Sequence, residues 1–361
     1  MRRFIYGFDC EHPRECADAL FARGIDAVVT GNIDPKSAEA LAKAGLELYL
    51  CFGALGLRPE DGSSTLAQDI EGHGARWFGS GCPNDAALRA RRLEAALESL
   101  RRTPTARGLF VDGARFASFA SPEGSDRFFT CFCPRCMAEM RAQGIEPEAV
   151  RQSVRRLSVG QAGPEDMPRL RDWLSFRAAS VRAYMRAFAD AVHRVPGGKL
   201  AGGFVFAPSL AGFVGQTPDA WASLDIVSPM LYRNYPHADG PACLGHEGSA
   251  ALGLCGEQAL KMLDQCASEV SGLPSLLPAA HAHDLVKEGF PPDRIGLELE
   301  ALRGKLGSGQ RLMPILQIED PLLAETERLA QLAGADGTGF FAYGQTGIDA
   351  LPPGQPVSPP L

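Results

Sequence analysis

Cys131, Cys133 and Cys136 of the run CFCPRC put three thiols into six positions of a 361-residue chain that has ten cysteines in all. A C-x-C-x-x-C spacing lets three thiolates share one ion, and tetrahedral zinc then needs a fourth ligand from elsewhere. Cys82, in GSGCPND, is the candidate. Four thiolates close the coordination shell and leave no position for water, so the expected zinc is structural, a clamp on its segment. Buried packing thiols or a disulfide are the alternative use of the same residues. Cys10, Cys16, Cys51, Cys243, Cys255 and Cys266 are scattered and read as core.

Carboxylates that close apolar runs form the second candidate group. Glycoside hydrolysis needs two carboxyl groups flanking the scissile bond, one to protonate the leaving oxygen and one to serve as nucleophile or base. In chain order the candidates are Asp9, Asp112, Glu319 and Asp320. Each has a plainer use. Asp112 can pair with Arg115, Glu319 and Asp320 can cap or charge a helix starting at Pro321, and Asp9 can bind ligand without taking part in catalysis. Side chains suited to holding a sugar ring follow other runs: Tyr232, Arg233, Asn234 and Tyr235, then Tyr343 and Gln345, and Trp77 further upstream. His281 and His283, in PAAHAHD, offer a different chemistry, because an H-x-H pair can hold catalytic metal as in amidohydrolase barrels. The nucleophile elbow G-x-S-x-G, the P-loop and the dinucleotide fingerprint are absent, so phosphate and nicotinamide cofactors have no support.

The elements that would position these residues alternate short apolar runs with helical stretches, the pattern of parallel strands joined by crossover helices. Eight strands are expected: Phe4–Phe8, Asp26–Thr30, Glu47–Phe52, Gly108–Asp112, Leu200–Phe206, Asp225–Leu231, Leu312–Ile318 and Gly337–Tyr343. Eight closes an α/β (β/α)8 TIM barrel, here spanning 1–345 as a single domain. Helices are expected over Pro13–Arg23, Pro35–Ala44, Asp85–Arg102, Glu165–His193, Glu257–Val270, Pro292–Leu306 and Pro321–Leu332. Two connections, about 113–164 and 233–310, exceed ordinary barrel loops and read as insertions after strands four and six, on the face where barrel enzymes keep their sites. The tail 346–361, with LPPGQPVSPPL, is proline-rich and reads as extended.

Composition excludes several function classes. Acidic residues outnumber basic ones by 43 to 36, a net charge of -7, which offers nothing to nucleic acid or to an anionic membrane. No apolar run approaches the roughly 20 residues of a membrane span. The start MRRFIYGFDC has no apolar leader core, so a cytoplasmic protein is expected, with a secreted one whose leader has been removed as the alternative.

A CPN-type segment opening a helix, a strand ending in an acid, and CFCPRC followed by a helix together resemble the zinc-bearing stretch of family 42 β-galactosidases. They are also similar to the glycoside-hydrolase-like barrels related to them, in which LD-x-x-RF precedes the cysteines. VDGARF (Val111 to Phe116) matches that form, and TPDAWASLDIVSPMLY (Thr217 to Tyr232) resembles their sixth-strand region. The resemblance implies a carbohydrate substrate, a general acid at the end of strand four and a nucleophile at the end of strand seven, the places of Asp112 and Glu319. Asp9, Arg115, Tyr232, Asp320 and Tyr343 are then expected around the substrate. Family 42 enzymes carry an Asn-Glu pair at strand four where this chain has Val111-Asp112, which separates it from β-galactosidase activity itself. A barrel that has lost catalysis and binds a glycan or a protein is the alternative from another class.

Overall fold

The computed structural model describes residues 2–31, 33–233, 242–273, 289–341 and 351. Eight parallel strand positions close into a barrel: β1 Arg2–Tyr6, β2 Ala27–Thr30, β3 Glu47–Gly53, β4 Ala106–Asp112, β5 Leu200–Phe206, β6 Ile226–Met230, β7 in two pieces, and β8 Gly337–Phe341. The pieces of β7 are Arg311–Leu312 and Ile315–Gln317. Pro314 has no N–H to give to the ladder, so the strand divides there. Both halves still pair with β6, at Ile226↔Arg311 and Ile315↔Met230, while Phe4↔Gly339 joins the last strand to the first. The expected architecture is therefore present, with strand ends shifted: β1 and β4 begin two residues earlier than expected, at Arg2 and Ala106, while β3 runs on to Gly53. β1 stops at Tyr6 and not at Phe8, because Gly7 takes a φ of 101° and turns the chain out of the sheet.

The barrel interior is a packed core. Phe4, Tyr49, Phe110 and Phe204 face inward, with ring centroids 5.0 Å apart for Phe110–Phe204, 5.7 Å for Tyr49–Phe110 and 6.1 Å for Phe4–Phe110. Rings of this size fit because glycine faces them. A Cβ on Gly202 would lie 2.7 Å from the Phe110 ring, and one on Gly339 would lie 2.1 Å from the Phe4 ring. Closure is reinforced outside, where Arg3 pairs with Glu327 at 2.8 Å and lies over Phe340.

Around the strands, helix starts follow their sequence signals. Asp34 caps α2 (Pro35–Lys43) by accepting from Lys36 N and Ser37 N, Asp85 caps α3 (Ala86–Arg102) by accepting from Leu88 N, and Pro13 begins α1 (Pro13–Ala22). The chain between β4 and β5 holds α4 (Pro134–Ala142), α5 (Pro147–Ser158) and α6 (Met167–His193), whose buried face includes Trp173, Phe176, Tyr184 and Phe188. Between β6 and β7 the described residues hold α7 (Leu244–Cys255), α8 (Glu257–Ser271) and α9 (Asp293–Arg303); α10 (Leu323–Leu332) follows β7. Helix α7 was not expected, since its sequence LGHEGSAALGLC contains three glycines and little helix propensity. Among the described residues no helix is long and apolar enough to cross a membrane.

The Phe4–Gly339 contact gives a direct test of interior packing. Gly339→Ala should destabilise the fold by about 1–3 kcal/mol, the usual cost of overfilling a packed core, read as a lower urea midpoint with an unchanged slope. An unchanged midpoint would mean that the interior is looser than this contact requires.

Candidate active site and metal centre

Cys82 reaches the metal centre from the chain just before α3, and Cys131, Cys133 and Cys136 from the segment that opens α4. Their four sulfurs lie within 4.8 Å of one another, and all four side chains are buried. Cys82 Sγ is 3.7 Å from Cys131 Sγ, 3.6 Å from Cys133 Sγ and 3.5 Å from Cys136 Sγ. A disulfide would need about 2.05 Å, so the bridged alternative is excluded here. An ion bound tetrahedrally at about 2.3 Å separates its sulfurs by about 3.8 Å, close to what is found.

The surroundings also suit a thiolate-bound ion. Gln68 N donates to Cys131 Sγ, Asn84 N to Cys82 Sγ and Asn84 Nδ2 to Cys136 Sγ, each at 3.4 Å. Cys133 stands at the N-cap of α4, where helix dipoles favour an anion, and hydrogen bonds from the neighbouring thiols hold it well below the ordinary thiol range. Arg177 is buried nearby, with no carboxylate partner among the described residues. It donates to the carbonyls of Phe213, Phe128 and Thr130, lies 3.8 Å from the Trp173 ring centroid, and finds no partner for Nε among the described residues. Burial pulls Arg177 well below its usual range, and the thiols it interacts with electrostatically are Cys131 and Cys136. Four thiolates around a divalent ion carry two net negative charges, which would supply the counter-charge that this guanidinium otherwise lacks.

A cavity of about 210 Å³ opens at the barrel mouth. Tyr6, Phe204, Phe206, Tyr232 and Phe341 contribute aromatic wall, the loop after β3 adds Trp77, Phe78 and Ser80, and Asp112 supplies a carboxyl. Burial pushes the Asp112 carboxyl up, with Arg115 and the N–H of Gly113 opposing. Burial likewise raises Tyr6 and Cys51, and each lies in the field of Asp112.

Arg115 forms the other polar part of the wall. Its guanidinium lies 4.6 Å from the Phe206 centroid and 5.5 Å from that of Phe78, and Nη1 donates to Phe116 O at 3.0 Å. Burial lowers its pKa while Glu247, Asp112 and Glu123 act against that. No ion pair closes between Arg115 and Asp112 among the described residues, so the simple salt bridge open to Asp112 is not made. Glu123 instead accepts from Phe78 N at 3.0 Å and Gly79 N at 3.3 Å, and Glu247 accepts from Ala120 N at 2.9 Å and Ala242 N at 3.3 Å.

The remaining candidates lie elsewhere. Asp9, expected at the end of β1, sits three residues past it and accepts from Glu11 N and His12 N at the start of α1; its carboxyl is held low by those N–H groups and is not part of the cavity wall. Asp320 makes a buried two-point pair with Arg233, at 2.6 and 2.9 Å. Glu319 follows the second half of β7 and is not among the cavity-lining residues. Tyr343, Gln345, Asn234, Tyr235, His281 and His283 lie outside the described residues. Sequence reasoning missed Tyr6, Phe78, Glu123 and Glu247. Inward alternation from Phe4 would have found Tyr6, but the other three lie in loops or in an unexpected helix and carry no periodic signal.

No known family profile and no curated protein matches this sequence. Among solved structures, the chain is similar to the β-galactosidase from the psychrophilic Marinomonas ef1, with a TM-score of 0.60 and 14% identity over 95% of this chain and 54% of that one. It is similar to a catalytic mutant of Gan42B, a GH42 β-galactosidase from G. stearothermophilus, with a TM-score of 0.57 and 10% identity over 94% and 51%. The catalytic domain of β-amylase from Paenibacillus polymyxa gives a TM-score of 0.50 and 11% identity over 97% and 93%. The chain thus spans about half the length of these β-galactosidases. At such identities the likeness is one of fold, and that fold is the barrel of GH42 and other glycoside hydrolases.

The four thiols join the loop after β3 to the loop after β4, so an ion held there would fasten both and its loss would release them. Cys133→Ser should abolish stoichiometric metal binding and lower Tm by several degrees, measured by elemental analysis and calorimetry. Unchanged melting after complete metal removal would show that packing alone holds the loops.

Proposed function

We propose that this chain is a glycoside hydrolase acting at the barrel mouth, with Asp112 as its general acid. The observation that carries the reading is a carboxyl at the end of β4, set in an aromatic cavity and pushed up by burial. A general acid must stay protonated near neutrality, and an apolar surround favours that form. Aromatic faces suit the apolar faces of a sugar ring, and the volume is below the roughly 300 Å³ of common ligand pockets, room for about one ring. The barrels that this one resembles in fold are named as β-galactosidases and a β-amylase.

Glu319 is the proposed second carboxylate, as nucleophile or base, because it follows strand β7 at the same end of the barrel as Asp112. Its distance from Asp112 in the substrate complex sets the outcome: about 5–5.5 Å gives retention through a covalent intermediate, and roughly 6.5–9.5 Å gives inversion by water. Arg115 and Tyr232, which line the cavity, are proposed to contact the sugar, and Tyr343 is assigned to the same mouth from its sequence position. One feature favours the rival reading of a non-catalytic binder. Asp112 is the single carboxylate among the described residues that line the cavity. We assign the ion of the four-thiol centre as zinc with a structural role, since four thiolates leave no open coordination position. Elemental analysis should then find about one zinc per chain, and another metal at full occupancy would refute the assignment.

Turnover of a glycoside panel by wild type, Asp112→Asn and Glu319→Gln separates enzyme from binder. Both variants should lose about 100-fold or more in kcat while retaining sugar binding, as expected when a positioned acid or nucleophile is removed. Asp112→Asn should also melt higher than wild type at pH 7. The folded carboxyl is raised above its unfolded value, so ionisation costs stability as pH rises through the ordinary carboxylate range, and the amide escapes that cost. Undiminished turnover in either variant removes that residue from the mechanism, and sugar binding without turnover in wild type establishes the binder.

A further inference from the structure

Two non-glycine residues among the described residues have positive φ, Phe78 at 48° and Ala242 at 59°, and both line the mouth cavity. Left-handed backbone is costly for residues with a Cβ and persists where surrounding contacts impose it. The contacts are of one kind at both places. The Glu123 carboxylate takes the successive N–H groups of Phe78 and Gly79, and Gly79 is itself left-handed at 64°. The Glu247 carboxylate takes the N–H of Ala242 on one oxygen and that of Ala120 on the other. Arg115 lies in the field of both carboxylates and under the Phe78 ring.

The arrangement is therefore symmetrical in its physics, though its parts come from unrelated stretches of chain. Each wall is a short backbone segment bent into an unfavourable conformation, and each is held by a carboxylate receiving two N–H groups. Glu247 is 0% exposed, and burying it beside nothing but side-chain packing would be expensive. Its two N–H donors and the nearby guanidinium make that burial tolerable. Glu123 is further fastened by Ser121 Oγ at 3.1 Å.

We infer that Glu123 and Glu247 are positioning residues that hold Phe78 and Ala242 in left-handed backbone and so keep the sugar cavity preformed. This rests on the glycoside reading only for the identity of the ligand; the holding of the walls stands apart from it. Neither carboxylate need touch substrate. Both act through the backbone they grip, and a preformed pocket spares the ligand the cost of ordering its walls. A glutamine at either position offers one oxygen where two are used, and turns an N–H donor toward the second backbone N–H.

Hydrogen exchange followed by mass spectrometry or NMR tests the holding directly. Exchange at Phe78 and Gly79 in Glu123→Gln, and at Ala242 in Glu247→Gln, should accelerate about 10-fold or more, while protection in β4 and β5 stays at the wild-type level. In parallel, binding of methyl glycopyranosides by ligand-observed NMR should weaken about 10-fold in each variant. Introducing Ala242→Gly into Glu247→Gln should restore most of that binding, because glycine takes a φ near 59° without a Cβ penalty. A merely structural glutamate would show no such rescue. Unchanged exchange at these amides, or failure of the glycine to restore binding to a variant that has lost it, overturns the inference. Accelerated exchange in a protein whose wild type binds none of the glycosides sustains the positioning role and removes the glycoside reading instead. If Glu247→Gln does not fold, Glu123→Gln with its own pair of amides decides the question alone.

Discussion

A sheet of parallel strands that closes on itself leaves no edge and little interior, and the rest of this structure follows from that constraint. Strands β1 to β8 return to their start through the divided β7, and the inner faces fill with Phe4, Tyr49, Phe110 and Phe204. Filling depends on Gly202 and Gly339, whose missing side chains leave room for those rings. Nothing large can bind inside such a core. Chemistry is displaced to the strand ends, where Tyr6, Asp112 and Met230 are the last inward residues and the loops supply the remaining wall.

Those loops are too long to hold their shape by turn chemistry alone, and buried polar groups do the holding. The four thiols fasten the loop after β3 to the one after β4, and Gln68 O accepting from Phe132 N at 2.8 Å fixes a second point between them. Glu123 then ties the second loop back to Phe78 in the first, and Glu247 ties it to the residues before α7 at Ala120 and Ala242. Charge is distributed to match. Arg177 lies by the thiols and Arg115 by the carboxylates, each stacked on aromatic rings and each without a direct carboxylate pair within salt-bridge distance among the described residues. A guanidinium is weakly hydrated and planar, so it tolerates such places better than an ammonium would.

Much of the fold was legible because it is periodic. Apolar runs marked all eight strand positions, and the helix starts expected at Pro13, Pro35 and Asp85 lie within one residue of those observed. Boundaries failed where a backbone feature overrides pattern, as with Gly7 ending β1 and Pro314 splitting β7. The four-thiol cluster was legible because ligand spacing is chemical information carried by the sequence itself, and Cys82 does join the other three thiols. The cavity was legible only in part. Asp112, Arg115 and Tyr232 lie on strand ends or next to them, whereas Glu123 and Glu247 depend on loop conformations that no spacing encodes. Asp320, also beside a strand end, has the buried Arg233 as its observed partner, a pairing that no spacing in the sequence encodes.

The choice among titratable groups at the mouth can be settled by magnitude. Tyr6, Cys51 and Asp112 share the inner surface, and burial raises all three. A phenol or a thiol starts near 10 or about 8.5, so a further rise keeps it neutral throughout the physiological range. A carboxyl starts at about 4, and the same push favours its protonated form. Arg115 pulls Asp112 back without closing an ion pair, and the N–H of Gly113 adds to that pull. Tyr6 and Cys51 thus stay neutral beside Asp112, whose own burial makes its ionisation costly. Of the three, Asp112 is the group on which burial acts in favour of the protonated acid, and the proposed role as acid rests on that.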